Sequence, residues 1–452
     1  MRDLVVFLLF VTLLPTCFLR PWFGVMAFTW LAYNRTQDLT WGFARALPIS
    51  ETIAIAMILG WMAWEYRPLW FSHPRLRAMV ILVIVIGVSA ATTGFDWGRW
   101  GNRYSELAKV VFVALLTAAL LVTRARLRAF CLVVALGLGF YGVKNALFYL
   151  MGGGTIVGPG GMLKDNNDFA LAMVMNLPFL WYQSGDVSDL KGGRILKWGL
   201  RGAFFLTILT VMSTESRGGF LAMGFVLLMM AMKTRWKVPA LVGVVLMGVL
   251  GYAYAPAKYK ERLASITSAQ DQSAQGRLIS WQVAGQMIKS HPVLGIGFNN
   301  MVWQYQGYLT GLKLPVNADK IPSRVAHNSY LQIWAESGTI AFGLFLYLLF
   351  GTILAMRKLE RLVRGTADDW VRRYAQTIEI TLYGYMAGAM FLNRAHFDLM
   401  YQLVAVSAAV PIVVLADRER RARLSERRRV GPAVSSEIWV RHRDPFVKLP
   451  SA

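Results

Sequence analysis

"RVAHNSYLQIWAESGTIAFGLFLYLLFGTILAM", residues 324–356, opens on arginine, histidine and asparagine, and its last part, 337–356, contains no Asp, Glu, Lys or Arg. A helix crosses a bilayer with roughly 17–25 predominantly apolar residues, so 337–356 reads as a membrane span. The opening residues are ones that lipid penalises. A charge at the bilayer centre costs about 2.5–3.5 kcal/mol on insertion scales, yet Glu336 stands two turns into the run and His327 and Asn328 stand at its mouth. The stretch predicts a membrane helix whose start faces a polar site.

The same apolar signature recurs outward from it. Residues 78–95, 238–257 and 399–416 are equally free of Asp, Glu, Lys and Arg, and shorter runs occupy 4–19, 21–34, 52–64, 129–143, 169–185, 202–214, 218–232 and 380–393. The 452-residue chain is 56% hydrophobic and only 16% charged, against about 25% charged in soluble domains. The fold class expected is an all-α integral membrane protein. Counting every run gives about thirteen spans, but Pro15 and Pro21 interrupt the first ones. The reading adopts about twelve, with both termini cytoplasmic; a miscount by one would fall before residue 50. "MRDLVVFLLFVTLLP" resembles a signal sequence without a small-residue cleavage site and reads as an uncleaved first span.

A net charge of +23 might suggest nucleic acid, but its distribution argues against it. The clusters at 67–77, 124–128, 233–237, 357–364 and 418–429 each abut an apolar run, which is the positive-inside signature of cytoplasmic loops. No nucleic-acid partner is expected; the arginine-rich end also suits anionic membrane lipids. Cys17 and Cys131 fall inside apolar runs, away from any metal-ligand spacing, so neither metal nor cofactor is expected.

Alternation from those clusters puts 95–105, 150–167, 212–217, 256–328 and 393–398 on the opposite face, the periplasm in a Gram-negative host. The chain then divides into transmembrane helices (1–255), a large helical periplasmic cap between the tenth and eleventh spans (256–328), C-terminal transmembrane helices (329–416) and a basic cytoplasmic tail (417–452). In the cap, "AKYKERLASI" and "GRLISWQVAGQMIKS" carry helical spacing, with Leu278, Trp281, Met287 and Ile288 facing roughly one way. Pro292, Gly295 and Gly297 then break the pattern. Trp281 and Trp303 read as cap core in preference to sugar-stacking platforms.

Three basic residues cluster at this face: Arg217, Arg277 and His327. Singly, each has an ordinary reading. Arg217 snorkels or pairs with Glu215, Arg277 is a solvated helix-start arginine, and His327 places a ring N–H on a carbonyl. Together they fit one anion, because guanidinium groups match phosphate oxygens in a planar fork and a histidine exchanges a proton near neutral pH. A pyrophosphate lipid would supply that anion. Lys164 and Asn167 in "KDNNDFA" (164–170), Arg324 and Asn328 are further substrate-binding candidates. Against this, 164–170 reads equally as a polar loop capping the next helix, and Arg324 as a solvated side chain. Gln332 and Glu336 lie five and nine residues beyond His327, off its helical face, and read as satisfying polar groups between helices.

At these residues the chain also resembles a known family. "SRGG" (216–219), the spaced "GR…W…A…M…HPVLGIGFNN" of the cap, and "AHNSYLQIWAESG" (326–338) resemble the bacterial O-antigen ligase and O-antigen polymerase superfamily in order and spacing over about 155–360. Within it the chain is similar to O-antigen ligases and to exosortase-associated O-glycosylation ligases. The resemblance implies an inner-membrane glycosyltransferase with a periplasmic active site. It would move a glycan from undecaprenyl diphosphate, without metal, to an acceptor hydroxyl. That acceptor is lipid A–core oligosaccharide in ligases of lipopolysaccharide biosynthesis, another lipid-linked repeat in polymerases, and a side chain in protein ligases. Arg217, Arg277 and His327 match the family's essential arginines and histidine. The "KDNNDFA" run departs from the family's Asp-Pro-Asn by lacking the proline. A competing class is a lipid-glycan transporter or flippase.

Overall fold

The computed structural model describes residues 2–34, 40–67, 73–92, 97–156, 158–160, 163–253, 272–312 and 321–430. Among these, all regular structure is helical. Ten helices precede the cap: α1 (Arg2–Leu19), α2 (Pro21–Asn34), α3 (Ile49–Trp64), α4 (Pro74–Thr92), α5 (Trp97–Leu120), α6 (Arg124–Leu150), α7 (Asn166–Gln183), α8 (Gly193–Ser213), α9 (Arg217–Lys233) and α10 (Lys237–Ala253). The cap contributes α11 (Gln272–Ser290) and α12 (Met301–Leu309), and three long helices follow: α13 (Ser329–Val363), α14 (Val371–Ala389) and α15 (Asp398–Val430). The expected cap helix at 257–266 and the last 22 residues of the chain (431–452) lie outside the described residues.

Among the described residues, six helices (α1, α4, α6, α8, α13 and α15) are long and apolar enough to cross a membrane. α3 and α10 are apolar but shorter. α7 is buried from Asp168 through Leu180 and packs against α6, α8, α9 and α14; a helix apolar all round belongs inside a bundle. α5, whose polar first half kept it out of the list of apolar runs, packs along α15.

The two ends of the bundle differ chemically. At one end, acids bind bases from separate helices. Glu65 holds Arg126 at 2.7 Å, Asp186 holds Arg128 at 2.7 Å, and the fully buried Glu379 holds Lys233 at 2.8 Å and Arg357 at 2.7 Å. Asp368, ahead of α14, takes both Arg418 and Arg421, and α15 continues past residue 416 without a break. The other end carries the cap: the Ser89 hydroxyl near the end of α4 donates to the carbonyls of Leu294 (2.6 Å) and Glu336 (2.9 Å).

The first helices pack in a defined order. Asp3 accepts from the N–H groups of Gly42 (3.0 Å) and Ala44 (3.1 Å), beyond the end of α2. At the opposite end of this hairpin, the close of α3 at Gly60 lies against the Phe18 carbonyl. α1, α2 and α3 therefore run up, down and up. Tyr33 near the end of α2 donates to Gln402 near the start of α15 (2.6 Å), which puts this level, and the start of α1, toward the cap end. Beside the expectation of about twelve spans with both termini on one side stand thirteen bundle helices among the described residues, the first starting and the last finishing at opposite ends of the bundle. Pro15 sits inside α1 without ending it, and Pro21 opens α2 at a position where its missing N–H costs nothing.

The cap has its own small core, Val283, Ala284, Met287, Ile296, Met301, Tyr305, Leu309, Ala326 and Ala335. Met287 and Ile288 pack on it as expected, whereas Leu278 is 55% exposed. Trp303, expected in the core, is 63% exposed on α12. Trp281 is half-buried and donates its indole N–H to the Ala326 carbonyl at 2.9 Å, tying α11 to the segment that carries His327.

Candidate functional site

Four candidates stand just ahead of or at helix starts. Lys164 precedes α7, Arg217 opens α9, and His327 with Asn328 precedes α13. Each of these helices is capped by its own side chain. Asp165 accepts from the Asn167 N–H at 2.8 Å, Ser216 from the Gly219 N–H at 3.1 Å, and Asn328 from Tyr330 and Leu331 at 3.0 and 3.1 Å. These satisfy orphan donors in the way N-caps do.

The three starts are joined to one another. Ser216 donates to the Asn167 side chain at 2.7 Å, which seats α9 beside α7; Gly219 faces Ala170 so closely that a Cβ there would stand 2.6 Å from the alanine methyl. That explains the second glycine of "SRGG". The loop after α14 closes the ring. Ser329 donates to the Leu392 carbonyl (2.7 Å) and accepts from the Arg394 N–H (2.8 Å), while the Arg394 guanidinium pairs with Asp168 in the first turn of α7. Three positive helix ends thus converge. Each carries roughly half an elementary charge, and together they attract anions.

Around this convergence stand the cations. Arg217 and Arg277 are half-buried and Arg324 and Lys164 are exposed. Arg324 lies against Gly276, where α11 approaches the cap loop. His327 is within electrostatic reach of Arg277 and Arg324 and of Asp165 and Asp168. Burial first, then Arg277 and Arg324, lower its pKa below the ordinary histidine value, opposed by the two carboxylates. The ring is thereby biased toward its neutral, proton-accepting form at neutral pH. Its backbone is unusual too. His327 has φ 48°, as Glu215 has φ 54° and Asn299 φ 60°, and each of the three immediately precedes a helix N-cap. A left-handed conformation in a residue with a Cβ costs about 1–3 kcal/mol and concentrates at functional sites.

Arg217, Arg277 and His327 thus gather at one end of the bundle, with Arg324, Lys164 and Asn167. Asn328 is different: it is buried and its side-chain oxygen is occupied as the cap of α13. Asn167 spends both ends of its amide inside the protein, on Asp165 (3.0 Å) and Ser216. Gln332 and Glu336 form a buried chain: Gln332 accepts from the Ala326 N–H at 2.9 Å and donates to Glu336, which accepts from the Met301 N–H at 3.2 Å. They hold the cap on α13, as expected of groups satisfied between helices.

Two members escaped the sequence reading, Asp168 and Arg394. Arg394 carries the same signal that singled out Arg217, an arginine between apolar runs with almost no loop around it. Its neighbour His396 stacks edge-on against Phe298 at 5.1 Å; burial, then Arg103 and Arg394, hold that ring at a pKa of about 4.

Two family models match the chain. Residues 202–346 match the model described as O-Antigen ligase, and residues 1–175 match one described as Family of unknown function (DUF5935). No curated protein matches it. The first match holds Arg217, Arg277, Arg324, His327 and Asn328; the second holds Lys164, Asn167 and Asp168; Arg394 lies beyond both.

Proposed function

We infer that this membrane protein, a member of the O-antigen ligase superfamily, is a metal-independent transferase of the ligase type. It moves a glycan from undecaprenyl diphosphate to an acceptor hydroxyl, with lipid A–core oligosaccharide as the acceptor. On this reading the cap end of the bundle faces the periplasm of a bacterial inner membrane and the acid–base clusters face the cytoplasm. The observation that carries it is the meeting of three helix starts, two half-buried arginines and a histidine of depressed proton affinity beside the cap.

In the proposed reaction His327 takes the proton of the acceptor hydroxyl, and the hydroxyl oxygen attacks the anomeric carbon. The bond from that carbon to the diphosphate oxygen breaks, its electron pair leaving with undecaprenyl diphosphate. Charge growing on the leaving phosphates is met by Arg217 and Arg277, donors that are already in place and therefore stabilise the transition state without reorganising. A single displacement of this kind inverts the anomeric centre. Lys164 and Arg324 stand at the exposed rim, where they meet the donor's outer phosphate oxygens.

The test is deletion of the gene followed by complementation. Long glycans accumulating on the carrier, unattached to acceptor, support a ligase; single repeats stalled on the carrier indicate a polymerase. Complementation with His327→Ala should restore donor binding but leave transfer down by about 10²–10⁴-fold, the usual worth of a general base. A normal glycosidic product accompanied by altered lipid movement would sink the transferase reading in favour of a flippase.

A further inference from the structure

Asp168 and Arg394 are 226 residues apart in sequence, yet their side chains pair at the wall of the site. Asp168 is buried and Arg394 half-buried. The Arg394 backbone is held from behind. The Arg394 N–H donates to Ser329 at 2.8 Å, its carbonyl accepts from the Tyr385 hydroxyl at 2.8 Å, and Ser329 stands two residues after His327. The charged groups facing His327 are Arg277 from α11, Arg324 from the cap loop, Asp165 ahead of α7 and Asp168 within it. When His327 takes the acceptor's proton, it becomes a cation within electrostatic reach of two arginines. A counter-charge must already be in place, or the proton transfer is opposed.

Building on the transferase reading, we propose that Asp168 and Arg394 act as one positioning unit: the ion pair locks the start of α7 to the start of α13, and the Asp168 carboxylate supplies the fixed negative charge that His327 requires once protonated. The paired guanidinium favours the charged form of Asp168. Arg394 keeps the carboxylate in place and offers the site wall a further guanidinium edge.

The experiment uses the full-length protein in nanodiscs, with lipid-linked donor and acceptor extracted together from cells lacking the gene. Asp168→Asn, Arg394→Gln, Arg394→Lys and the double variant Asp168→Asn/Arg394→Gln are compared with wild type for transfer rate against pH, binding of undecaprenyl diphosphate and thermal unfolding. Each Gln or Asn variant should transfer about 10²-fold more slowly, the scale of a misplaced catalytic group, and the double variant no more slowly than the worse single, because the residues act as a unit. Arg394→Lys should recover part of the rate. Undecaprenyl diphosphate binding should stay within a fewfold of wild type. The acid limb of the Asp168→Asn profile should move to lower pH, since loss of a negative charge makes His327 harder to protonate. Rates at the wild-type level, losses that multiply in the double variant, or losses that follow thermal unfolding with an unmoved acid limb would each overturn the proposal. An inactive wild type that does not bind undecaprenyl diphosphate would instead remove the transferase reading, and this inference with it.

Discussion

His327 shows how a single side chain is set up by its surroundings. The left-handed turn at φ 48° aims the chain into α13 and leaves the imidazole among charges contributed by three separate segments. Its depressed proton affinity arises from burial, then Arg277 and Arg324. Removing a cation relieves the charged form, so Arg324→Ala should raise the His327 pKa. The acid limb of the transfer-rate profile should then shift to higher pH, read directly from initial rates at constant donor concentration. Arg324 is exposed, and salt screens exposed charges, so the shift should shrink in high salt. His327 was legible in the sequence because a titratable group at the mouth of a span is costly without a task. Its carboxylate neighbours were not, because nothing in local spacing brings residue 168 to residue 327.

At the scale of elements, the site is made by how helices begin. Asn328, a substrate-binding candidate from the sequence, uses its side-chain oxygen to hold the first turn of α13. Asn328→Ala should lower stability by about 0.5–2 kcal/mol, the worth of an N-cap, seen as a lower unfolding midpoint. Asn328→Asp, which also caps, should retain both stability and transfer; a loss of transfer at unchanged stability would return Asn328 to the substrate. Further along the same helix, Gly338 has φ 76°, and a Cβ there would meet the Val293 carbonyl at 2.0 Å. This kink lets the cap segment lie on α13, where the Ile296 and Gly297 N–H groups donate to the carbonyls of Ala335 and Glu336 at 2.9 Å each, and the Thr339 N–H donates to the Pro292 carbonyl at 2.9 Å. Gly338→Ala should cost about 1–2 kcal/mol from backbone handedness alone, and more from the clash. Limited proteolysis should then cut the cap before the rest of the bundle. The uncharged run 337–356 announced a membrane span; the kink was invisible, because a glycine inside an apolar run is ambiguous until something packs against it.

Across the whole molecule, the two ends of the bundle perform different tasks. Acids at one end tie α3 to α6, α9 and α13 to α14, and the loop before α14 to α15, which leaves the other end to hold a charged, strained site. Glu379→Gln strips the shared carboxylate from Lys233 and Arg357; breaking a buried ion pair costs about 3–5 kcal/mol. Size-exclusion chromatography in detergent should show little folded protein, and a wild-type elution profile would refute the clamp. The up-down-up order of α1 to α3 makes a topological prediction. In a background with Cys17 and Cys131 replaced by serine, a cysteine at position 2 should react with an impermeant maleimide on spheroplasts, and one at Ser425 only after lysis. Equal labelling of both would restore an even number of crossings.

Composition and hydropathy alone determined that this is a helical membrane protein, and led to the expectation that its basic clusters share one side and that Arg217, Arg277 and His327 stand toward the other. These follow because the bilayer acts on every residue separately, through its transfer energy. The tertiary structure decided which groups meet: the pairing of Asp168 with Arg394, the convergence of three helix starts, the capping role of Asn328 and the direction of α1. Those depend on contacts between segments hundreds of residues apart, and no local period or charge pattern encodes a partner at that distance.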